Sequence, residues 1–411
     1  MTKRVLLIGT LDTKGAEYAY VRDLIRARGC DVVVMDLGVL GEPPFAADIG
    51  AAEVARAGGS SLGELRARSD RGSAVETMLA GARALVRRLH AEERFDGVLG
   101  LGGGGGTTMI AAAMRELPVG MPKLLVSTMA SGNTAPYVDV KDITMMYSVV
   151  DIAGLNPLSR RILANAAGAI EGMVRQEVVR APDRPLIAAT MFGVTTPCVT
   201  AARQQLERGG YDVLVFHATG AGGRALEGLI EDGYFVGVLD VTTTEWADEV
   251  VGGVLSAGPD RLSAAGRRGI PQVVSVGALD MVNFGAIDTV PAQFRGRNLY
   301  RHNPTVTLMR TTAEECTEIG RRIAEQLRGA HGPTVLVLPR RGVSMIDAEG
   351  QPFHDPAADA ALFDALRRNV GPSVRVVEVD AHINDDGFAR TLVEELLGLL
   401  AQREQLVESV G

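Results

Sequence analysis

The sequence predicts an α/β protein with two doubly wound, Rossmann-like domains, largely parallel sheets and a ligand cleft between the domains. Short Val/Ile/Leu runs alternate with longer helical patterns, which is typical of βαβ units. The 411 residues exceed the roughly 250–300 that one hydrophobic core supports. Two prolines and several charges interrupt the periodic chain at 180–185 (RAPDRP). We therefore expect domains at 1–181 and 182–411.

The pattern in the first half of the sequence predicts a complete series of alternating strands and helices. It begins with a strand at 4–9 (RVLLIG), a helix at 14–28 with its apolar residues on one face, and a strand at 31–36. Glycine, proline and alternating charges at 38–72 favour an insertion of loops and short helices over the sheet edge. The remaining predicted elements are a helix at 74–90, a strand at 97–101, a helix at 107–115, a strand at 123–128 and a helix at 159–179.

The same alternation restarts after residue 185. The predicted strands are 186–190, 212–216, 235–240, 271–276, 334–338 and 374–379. The predicted helices are 197–208, 223–232, 313–328, 357–368 and 386–402. Both halves contain a glycine-rich turn that opens a helix, but no residue-level repeat relates them.

Composition excludes several classes of protein. The net charge of −8 and the 4% of aromatic residues argue against nucleic-acid binding, which needs a basic footprint. No apolar run reaches the roughly 20 residues that cross a bilayer, and the N-terminus leads directly into a strand, so we expect a soluble, unprocessed, cytoplasmic protein without membrane contact. Cys30, Cys198 and Cys316 lack metal-type spacing, which predicts buried, reduced thiols.

Glycine is over-represented, at 49 of 411 residues, or about 12% against an average near 7%. The clearest cluster is the run of five glycines at 102–106, which follows a predicted strand and precedes Thr107 and Thr108. Without Cβ atoms this backbone can approach a phosphate, and the two threonines could cap the helix while facing the ligand. The run lacks the Gly-Lys-Ser/Thr ending of a Walker A loop. A flexible turn or a tight packing contact is the alternative.

Two further strand exits in the first half carry candidate ligand groups. Asp12, Thr13 and Lys14 follow the first strand at a helix N-terminus, where anions are favoured. The stretch 127–134 (STMASGNT) follows the fourth strand and is rich in hydroxyl groups. Ligands bind at the carboxyl ends of parallel strands, so these turns are expected to form one crevice with the glycine run. Ordinary capping remains the alternative for both.

The second half offers candidates for catalysis. His217 precedes the glycine-rich turn at 220–223, where a general base could lie. Asp240 and Glu245 follow another strand, and Asp280 lies in a long connection. We select these four residues as acceptor-side catalytic candidates. No metal ligand is assigned, although joint ligation by His217, His302 and His382 stays open.

Several long motifs resemble one family. They are GTLDTKG at 9–15, LGLGGGGGTTM at 99–109 and VSTMASGNTAPYVDVKDITMMYSVVDIAGLN at 126–156. Downstream, MFGVTTPCV at 191–199, FHATGAGGRALEGLI at 216–230 and LDVTTTEWADEVVGG at 239–253 continue the likeness. The chain resembles the family that includes the ATP-binding N-terminal region of a tomato inhibitor of tobamovirus replication and bacterial two-domain relatives.

The resemblance implies ATP with Mg²⁺ in the N-terminal domain and self-association, with a homodimer expected. The nucleotide-binding residues it implies are Asp12, Thr13, Lys14, Gly102, Gly103, Gly104, Gly105, Ser127, Thr128, Ala130 and Ser131. Antiviral activity is not implied, because it depends on the surface of one viral partner.

Three functions remain open from the sequence. The first is a Mg²⁺-dependent ATP-binding enzyme of small-molecule metabolism, a transferase or ligase, with the acceptor presented by the second domain. The second is a non-catalytic nucleotide sensor that acts on a protein partner. The third is a hydrolase or lyase with its active site in the C-terminal domain and ATP as a regulator.

Overall fold

A computed structural model describes residues 2–177 and 183–410. The chain divides into two compact units, Met1–Arg180 and Ala181–Gly411. The boundary expected at 181/182 lies outside the described residues. Each unit is built around its own parallel sheet, so each is described by itself below.

The N-terminal unit contains a five-stranded parallel sheet with strand order β2-β1-β3-β4-β5. Its strands are β1 (Arg4–Gly9), β2 (Asp31–Asp36), β3 (Gly97–Gly102), β4 (Lys123–Ser127) and β5 (Thr144–Tyr147). The strand order changes direction between β1 and β3. In doubly wound sheets this reversal opens a crevice at the carboxyl ends of the two strands.

Helices cover both faces of this sheet. On one face α1 (Leu11–Ala27) and α7 (Pro157–Arg175) bury apolar side chains against β1 to β4. The other face is covered by α2 (Ala51–Ala57), α3 (Leu62–Arg68), α4 (Arg71–Ala91), α5 (Gly104–Met114) and α6 (Ala135–Val138). The predicted insertion at 38–72 contains α2 and α3, as expected.

Several predicted boundaries were wrong at helix starts. The helix expected at 14–28 begins at Leu11, and the helix expected at 107–115 begins at Gly104. The sequence predicts loops at both turns because glycine and polar residues disfavour helix interiors, although such residues are common in a first turn. Strand β5 was not predicted. The helix predicted to reach 179 is described to Arg175, and residues 178–179 lie outside the described residues.

The C-terminal unit contains a six-stranded parallel sheet with strand order β7-β6-β8-β9-β13-β14. Its strands are β6 (Leu186–Met191), β7 (Asp212–His217), β8 (Gly237–Thr242), β9 (Gln272–Gly277), β13 (Thr334–Pro339) and β14 (Val374–Val379). The strand order changes direction between β6 and β8. The central strands are buried along their whole length, since helices pack on both faces.

Helices pack on both faces of this second sheet. One face packs against α8 (Thr196–Arg208) and α14 (Asp386–Val410). The other packs against α9 (Ala221–Glu231), α10 (Glu245–Val251), α11 (Ala264–Arg268), α12 (Ala313–Arg328) and α13 (Pro356–Asn369).

A small antiparallel sheet is inserted between β9 and α12. It consists of β10 (Met281–Phe284), β11 (Leu299–Asn303) and β12 (Val306–Arg310), in the order β10-β12-β11. The sequence predicts only a long connection here, because polar residues and short runs hide the strand alternation. The sheet packs its apolar side chains against α12 and α13.

Two other expectations concern the whole described chain. Cys30, Cys198 and Cys316 are buried free thiols, which confirms the prediction. Within 2–177 and 183–410, no helix combines the length and apolar character that crossing a bilayer requires.

Candidate functional site

The five-glycine run forms the first turn of α5 at the strand-order reversal. Gly103 is the extended N-cap residue, and the helix begins at Gly104. No side chain in the described part of the chain caps this end of the helix. The first N–H groups of a helix have no intrahelical acceptor, so those of Gly104, Gly105 and Gly106 are available to an anion at the carboxyl edge.

The glycines in this run serve different purposes. A Cβ atom on Gly102 would lie 2.5 Å from the Thr107 nitrogen, so packing alone requires glycine there. A Cβ atom on Gly104 would meet nothing within 4 Å. Packing therefore does not explain the absence of a side chain at Gly104, whereas the close approach of a ligand to the backbone would.

Thr107 and Ser127 fix this turn from inside the protein. Their hydroxyl oxygens lie 2.6 Å apart, both side chains are fully buried, and Ser127 Oγ also accepts the Met129 N–H. The expectation that Thr107 faces the ligand was wrong, because its hydroxyl is used between β3 and β4. Ser127 positions the turn, while Thr128 and Ala130 are partly buried and Ser131 is exposed.

Asp12, Thr13 and Lys14 lie in the first turn of α1, which follows β1, the neighbour of β3 in the sheet. Asp12 Oδ2 accepts the Leu40 N–H at 2.8 Å, while its Oδ1 is buried without a partner. The Thr13 hydroxyl bonds to Thr10. The α1 terminus is partly filled already, because Asp36 Oδ1 accepts the Leu11 N–H at 2.9 Å. Burial raises the pKa of Asp36.

Lys14 connects this turn to the segment that follows β5. Its backbone departs from helical geometry (φ −133°, ψ 24°), and its Nζ donates to the Ile152 carbonyl at 2.6 Å. Val149, which lies three residues before Ile152, adopts φ 63°. A β-branched residue strongly disfavours this left-handed conformation, and such strain concentrates at ligand sites.

The segment after β5 also lines a depression of about 290 Å³ at the same carboxyl edge. Its lining residues are Thr128, Tyr147, Ser148, Val149, Val150 and Asp151. Thr128 is among the nucleotide-binding residues expected from the sequence, whereas residues 147–152 are not. The long family-like motif that ends in MMYSVVDIAGLN was the signal that could have found them.

The second glycine-rich turn, 220–223, is filled from within the protein. Glu245 Oε1 accepts the Gly220 N–H at 2.7 Å and the Gly223 N–H at 3.0 Å. The Glu245 side chain is fully buried, and a Cβ atom on Gly223 would lie 2.3 Å from its carboxylate. This turn is therefore not open to an anionic ligand, because the Glu245 carboxylate already occupies it.

Arg261 holds Glu245 and Asp240 in a buried ion network. Its Nε donates to Glu245 Oε2 at 2.7 Å, and its two terminal nitrogens bind both Asp240 oxygens at 2.6 and 2.7 Å. Thr190 donates to Asp240, and Glu227 also contacts the guanidinium. Burial acts to lower the pKa of Arg261, but the carboxylates of Asp240 and Glu245 outweigh it and raise that pKa. Arg261 is not predicted from the sequence, since no local motif marks it.

The four catalytic candidates therefore do not form one site. Asp240 and Glu245 share Arg261 and support the fold. His217 is exposed at the end of edge strand β7, with its ring 5.4 Å from that of Phe192. Asp280 is fully buried and accepts a hydrogen bond from the Ser344 hydroxyl at 2.7 Å. In the described ranges no three His, Cys, Asp or Glu side chains are placed to hold a metal ion, so the three-histidine site finds no support.

The fold and this geometry define a two-domain α/β protein whose N-terminal sheet presents an open helix terminus at its strand-order reversal. The models of the N-terminal and C-terminal domains of the "Uncharacterised protein family (UPF0261)" match residues 3–178 and 184–400. The chain therefore belongs to the UPF0261 family.

Relatives extend over most of the chain. A UPF0261 protein of Clostridium tetani is 54% identical over 402 residues, which cover 97% of this chain and 100% of that protein. The tomato ToMV resistance protein Tm-1(GCR237) is 44% identical over 335 residues, or 80% of this chain and 44% of the tomato protein. This confirms the family resemblance stated from the motifs.

Among solved structures, the UDP-GlcNAc 2-epimerase of Methanocaldococcus jannaschii aligns over 100% of both chains. The identity is 8% and the TM-score is 0.22.

Proposed function

We propose that the N-terminal domain binds ATP as its Mg²⁺ complex, with the phosphates at the first turn of α5. The observation that carries this proposal is the contrast between two glycine-rich helix starts. Glu245 fills the start of α9, whereas no described side chain caps α5. The start of α5 also lies at the strand-order reversal, where doubly wound sheets bind ligands.

The surrounding residues fit a nucleotide phosphate. Glycine N–H groups and the helix dipole favour an anion. Lys14 adds a positive charge in the turn after β1, the strand that pairs with β3. The strained Val149 and the adjacent depression support a binding role for this same edge. Bound Mg²⁺ would neutralise phosphate charge, and its contacts would come mainly from the phosphates, since no protein ligand set is assigned.

We further propose that the bound nucleotide serves an enzyme of small-molecule metabolism. Phosphoryl or nucleotidyl transfer requires mainly positioning and charge neutralisation, which a glycine turn, a lysine and Mg²⁺ can provide. The proposal does not assign Asp240 or Glu245 a catalytic step, because both are buried in the Arg261 network.

Calorimetric titration of the full chain with ATP, ADP and AMP in the presence of Mg²⁺ tests the binding proposal. We expect ATP to bind with a dissociation constant below about 1 mM, which corresponds to a favourable binding free energy of more than about 4 kcal/mol. AMP should bind more weakly because it has fewer phosphates. The absence of ATP binding at millimolar concentration would contradict the proposal. ATP binding without turnover of any supplied small acid would instead favour the nucleotide-sensor alternative.

Replacing Lys14 by glutamine is expected to weaken ATP binding about tenfold. A hydrogen bond to a charged group contributes about 1.5–3 kcal/mol, and 1.4 kcal/mol corresponds to a factor of ten. Lys3→Gln is the matched control, because Lys3 precedes β1 at the opposite end of the strand and pairs with Asp96. Calorimetry should show unchanged affinity for Lys3→Gln, and equal affinities in all three proteins would remove Lys14 from the site.

A further inference from the structure

A second cluster of buried charges lies in the C-terminal domain, outside the proposed nucleotide site. It contains the carboxyl groups of Asp280, Asp347 and Asp359 around the guanidinium of Arg310. Asp280 and Asp347 are fully buried, and Asp359 and Arg310 are 6% and 5% exposed. The three acids come from three places in the fold, namely the turn after β9, the segment after β13 and helix α13.

One guanidinium binds two of the three acids. Arg310 Nη2 donates to Asp359 Oδ1 at 2.7 Å and to Asp347 Oδ1 at 3.3 Å. Asp280 Oδ2 accepts from the Ser344 hydroxyl, but Asp280 Oδ1 is buried with no hydrogen-bond partner. An unpartnered carboxylate oxygen in the protein interior is costly, which favours the neutral acid.

One guanidinium does not balance three buried acids. Asp347 Oδ1 and Asp359 Oδ1 both contact Arg310 Nη2, so these two carboxyl groups lie close together, and neighbouring like charges favour a proton on one of them. With all three acids ionised the cluster would carry two uncompensated negative charges. Burial, with the charges of Asp280 and Asp359, raises the pKa of Asp347 to about 9, and burial raises that of Asp280 to about 7.

The cluster fastens one segment over the carboxyl edge of the C-terminal sheet. This covering segment, 340–355, follows β13 and reaches the turns after three other strands. Val343 O accepts the Ala278 N–H, Met345 N–H donates to Val194 O, and Gly342 O accepts the Ile383 N–H. Arg310 binds the C-terminal end of the covering segment, because its Nε donates to Phe353 O at 2.7 Å.

We propose that this cluster is a proton-binding latch: a proton held by the buried acids keeps the covering segment closed, and its loss to solvent at alkaline pH releases the segment. The O–H bond of one carboxylic acid breaks, and the proton goes to water or buffer. Repulsion among the carboxylates then opposes the closed state. Release would uncover the carboxyl ends of β9 and β13, the edge at which parallel α/β sheets bind ligands.

The groups that face the cluster come from every neighbouring element. They are Arg310 on β12, Asp280 after β9, Asp347 and His354 in the covering segment, Asp355 and Asp359 at α13, Cys316 on α12 beside Thr311, and His382 after β14 beside Ser344. The His382 ring bonds to the Ser344 carbonyl of the segment and so also holds the closed state. The His354 ring bonds to the Asp347 carbonyl within the segment itself.

The opening equilibrium depends on pH because the closed state holds the proton more tightly than the open state. An opened segment exposes its acids to water, where they ionise near pH 4. Between that value and about pH 9 the closed state binds more protons than the open state, so raising the pH favours opening. One linked proton changes the opening equilibrium about tenfold per pH unit, and the effect ends above the pKa of the closed state.

Hydrogen exchange of the full chain between pH 6 and 9.5, corrected for intrinsic rates, tests the latch. We expect protection of the Val343, Met345 and Phe353 amides to fall about tenfold per pH unit in the wild-type protein. Asp347→Asn should show a weaker pH dependence, because it removes the acid whose pKa is raised to about 9. It should keep the local fold, because the amide carbonyl can still accept the Val343 N–H that now binds Asp347 Oδ2. Asp359→Asn provides a second neutral variant should Asp347→Asn not fold.

Asp380→Asn is the matched control. Asp380 lies beside the same segment, but it is 70% exposed and pairs with Arg341 at the surface. This variant should keep the wild-type pH dependence. The proposal would be overturned if protection in the wild type did not change with pH. It would also be overturned if protection fell equally with rising pH in the wild type and in the folded neutral variant. Neither outcome bears on the proposed ATP site, which the calorimetric titration tests separately.

Discussion

Replacing Arg261 by methionine is expected to destabilise the C-terminal domain by about 3–5 kcal/mol. Removing one member of a buried ion network leaves uncompensated charges in the interior, and this is the typical cost. Arg261 is 1% exposed and binds Asp240, Glu245 and Glu227. Methionine fills a similar volume, so the loss should come from the carboxylates that remain and not from a cavity.

Urea unfolding followed by tryptophan fluorescence measures this effect. Trp246 is the single tryptophan in the sequence and is buried one residue after Glu245, so its signal reports on this domain. Arg267→Met is the matched control, because Arg267 is 52% exposed and pairs with Glu231 at the surface. The control should lose no more than about 1 kcal/mol. Similar losses in the two variants would mean that Arg261 is not the centre of the network.

Replacing Gly104 by aspartate is expected to weaken ATP binding at least about 100-fold. A carboxylate about 4 Å from a phosphate charge repels it by about 4 kcal/mol at an effective dielectric constant of 20, and each 1.4 kcal/mol is a factor of ten. The new carboxylate would lie at the start of α5, as the Glu245 carboxylate lies at the start of α9. It should fold, since its Cβ atom enters open space and a negative charge favours a helix N-terminus.

Calorimetry on three variants separates charge from shape. Gly104→Ala should reduce affinity less than Gly104→Asp, because it limits close approach without adding charge. Gly172→Asp introduces the same charge at an exposed position of α7 with nothing within 4 Å, and it should bind ATP normally. Wild-type affinity in Gly104→Asp would exclude α5 as the phosphate site, even if ATP bound elsewhere on the chain.

The comparison of α5 and α9 shows why the two glycine-rich turns looked alike in the sequence. Both follow a strand and open a helix, and these are local properties of the backbone. In the sheets, however, α5 follows the central strand β3, whereas α9 follows the edge strand β7. Glu245 reaches α9 from 22 residues beyond Gly223, after another strand. Local pattern cannot reveal a partner placed by strand order.

The acidic candidates illustrate the same limit. Asp240, Glu245 and Asp280 were selected because they follow strands, and the structure places all three near strand ends. Their chemistry depends on Arg261, Arg310 and Ser344, which lie 16 to 64 residues away in the chain. A carboxylate next to a buried guanidinium supports the fold, whereas the same carboxylate facing solvent could act on a substrate.

The sequence by itself determined the α/β class, most strands and helices, the glycine turn at α5 and membership of the family. These properties follow from backbone preferences and apolar periodicity over short stretches. Only the tertiary structure decided the strand order, the small antiparallel sheet and the use of each polar group. Whether a helix terminus is open or filled depends on side chains distant in sequence, because burial makes an unpaired charge too costly to leave alone.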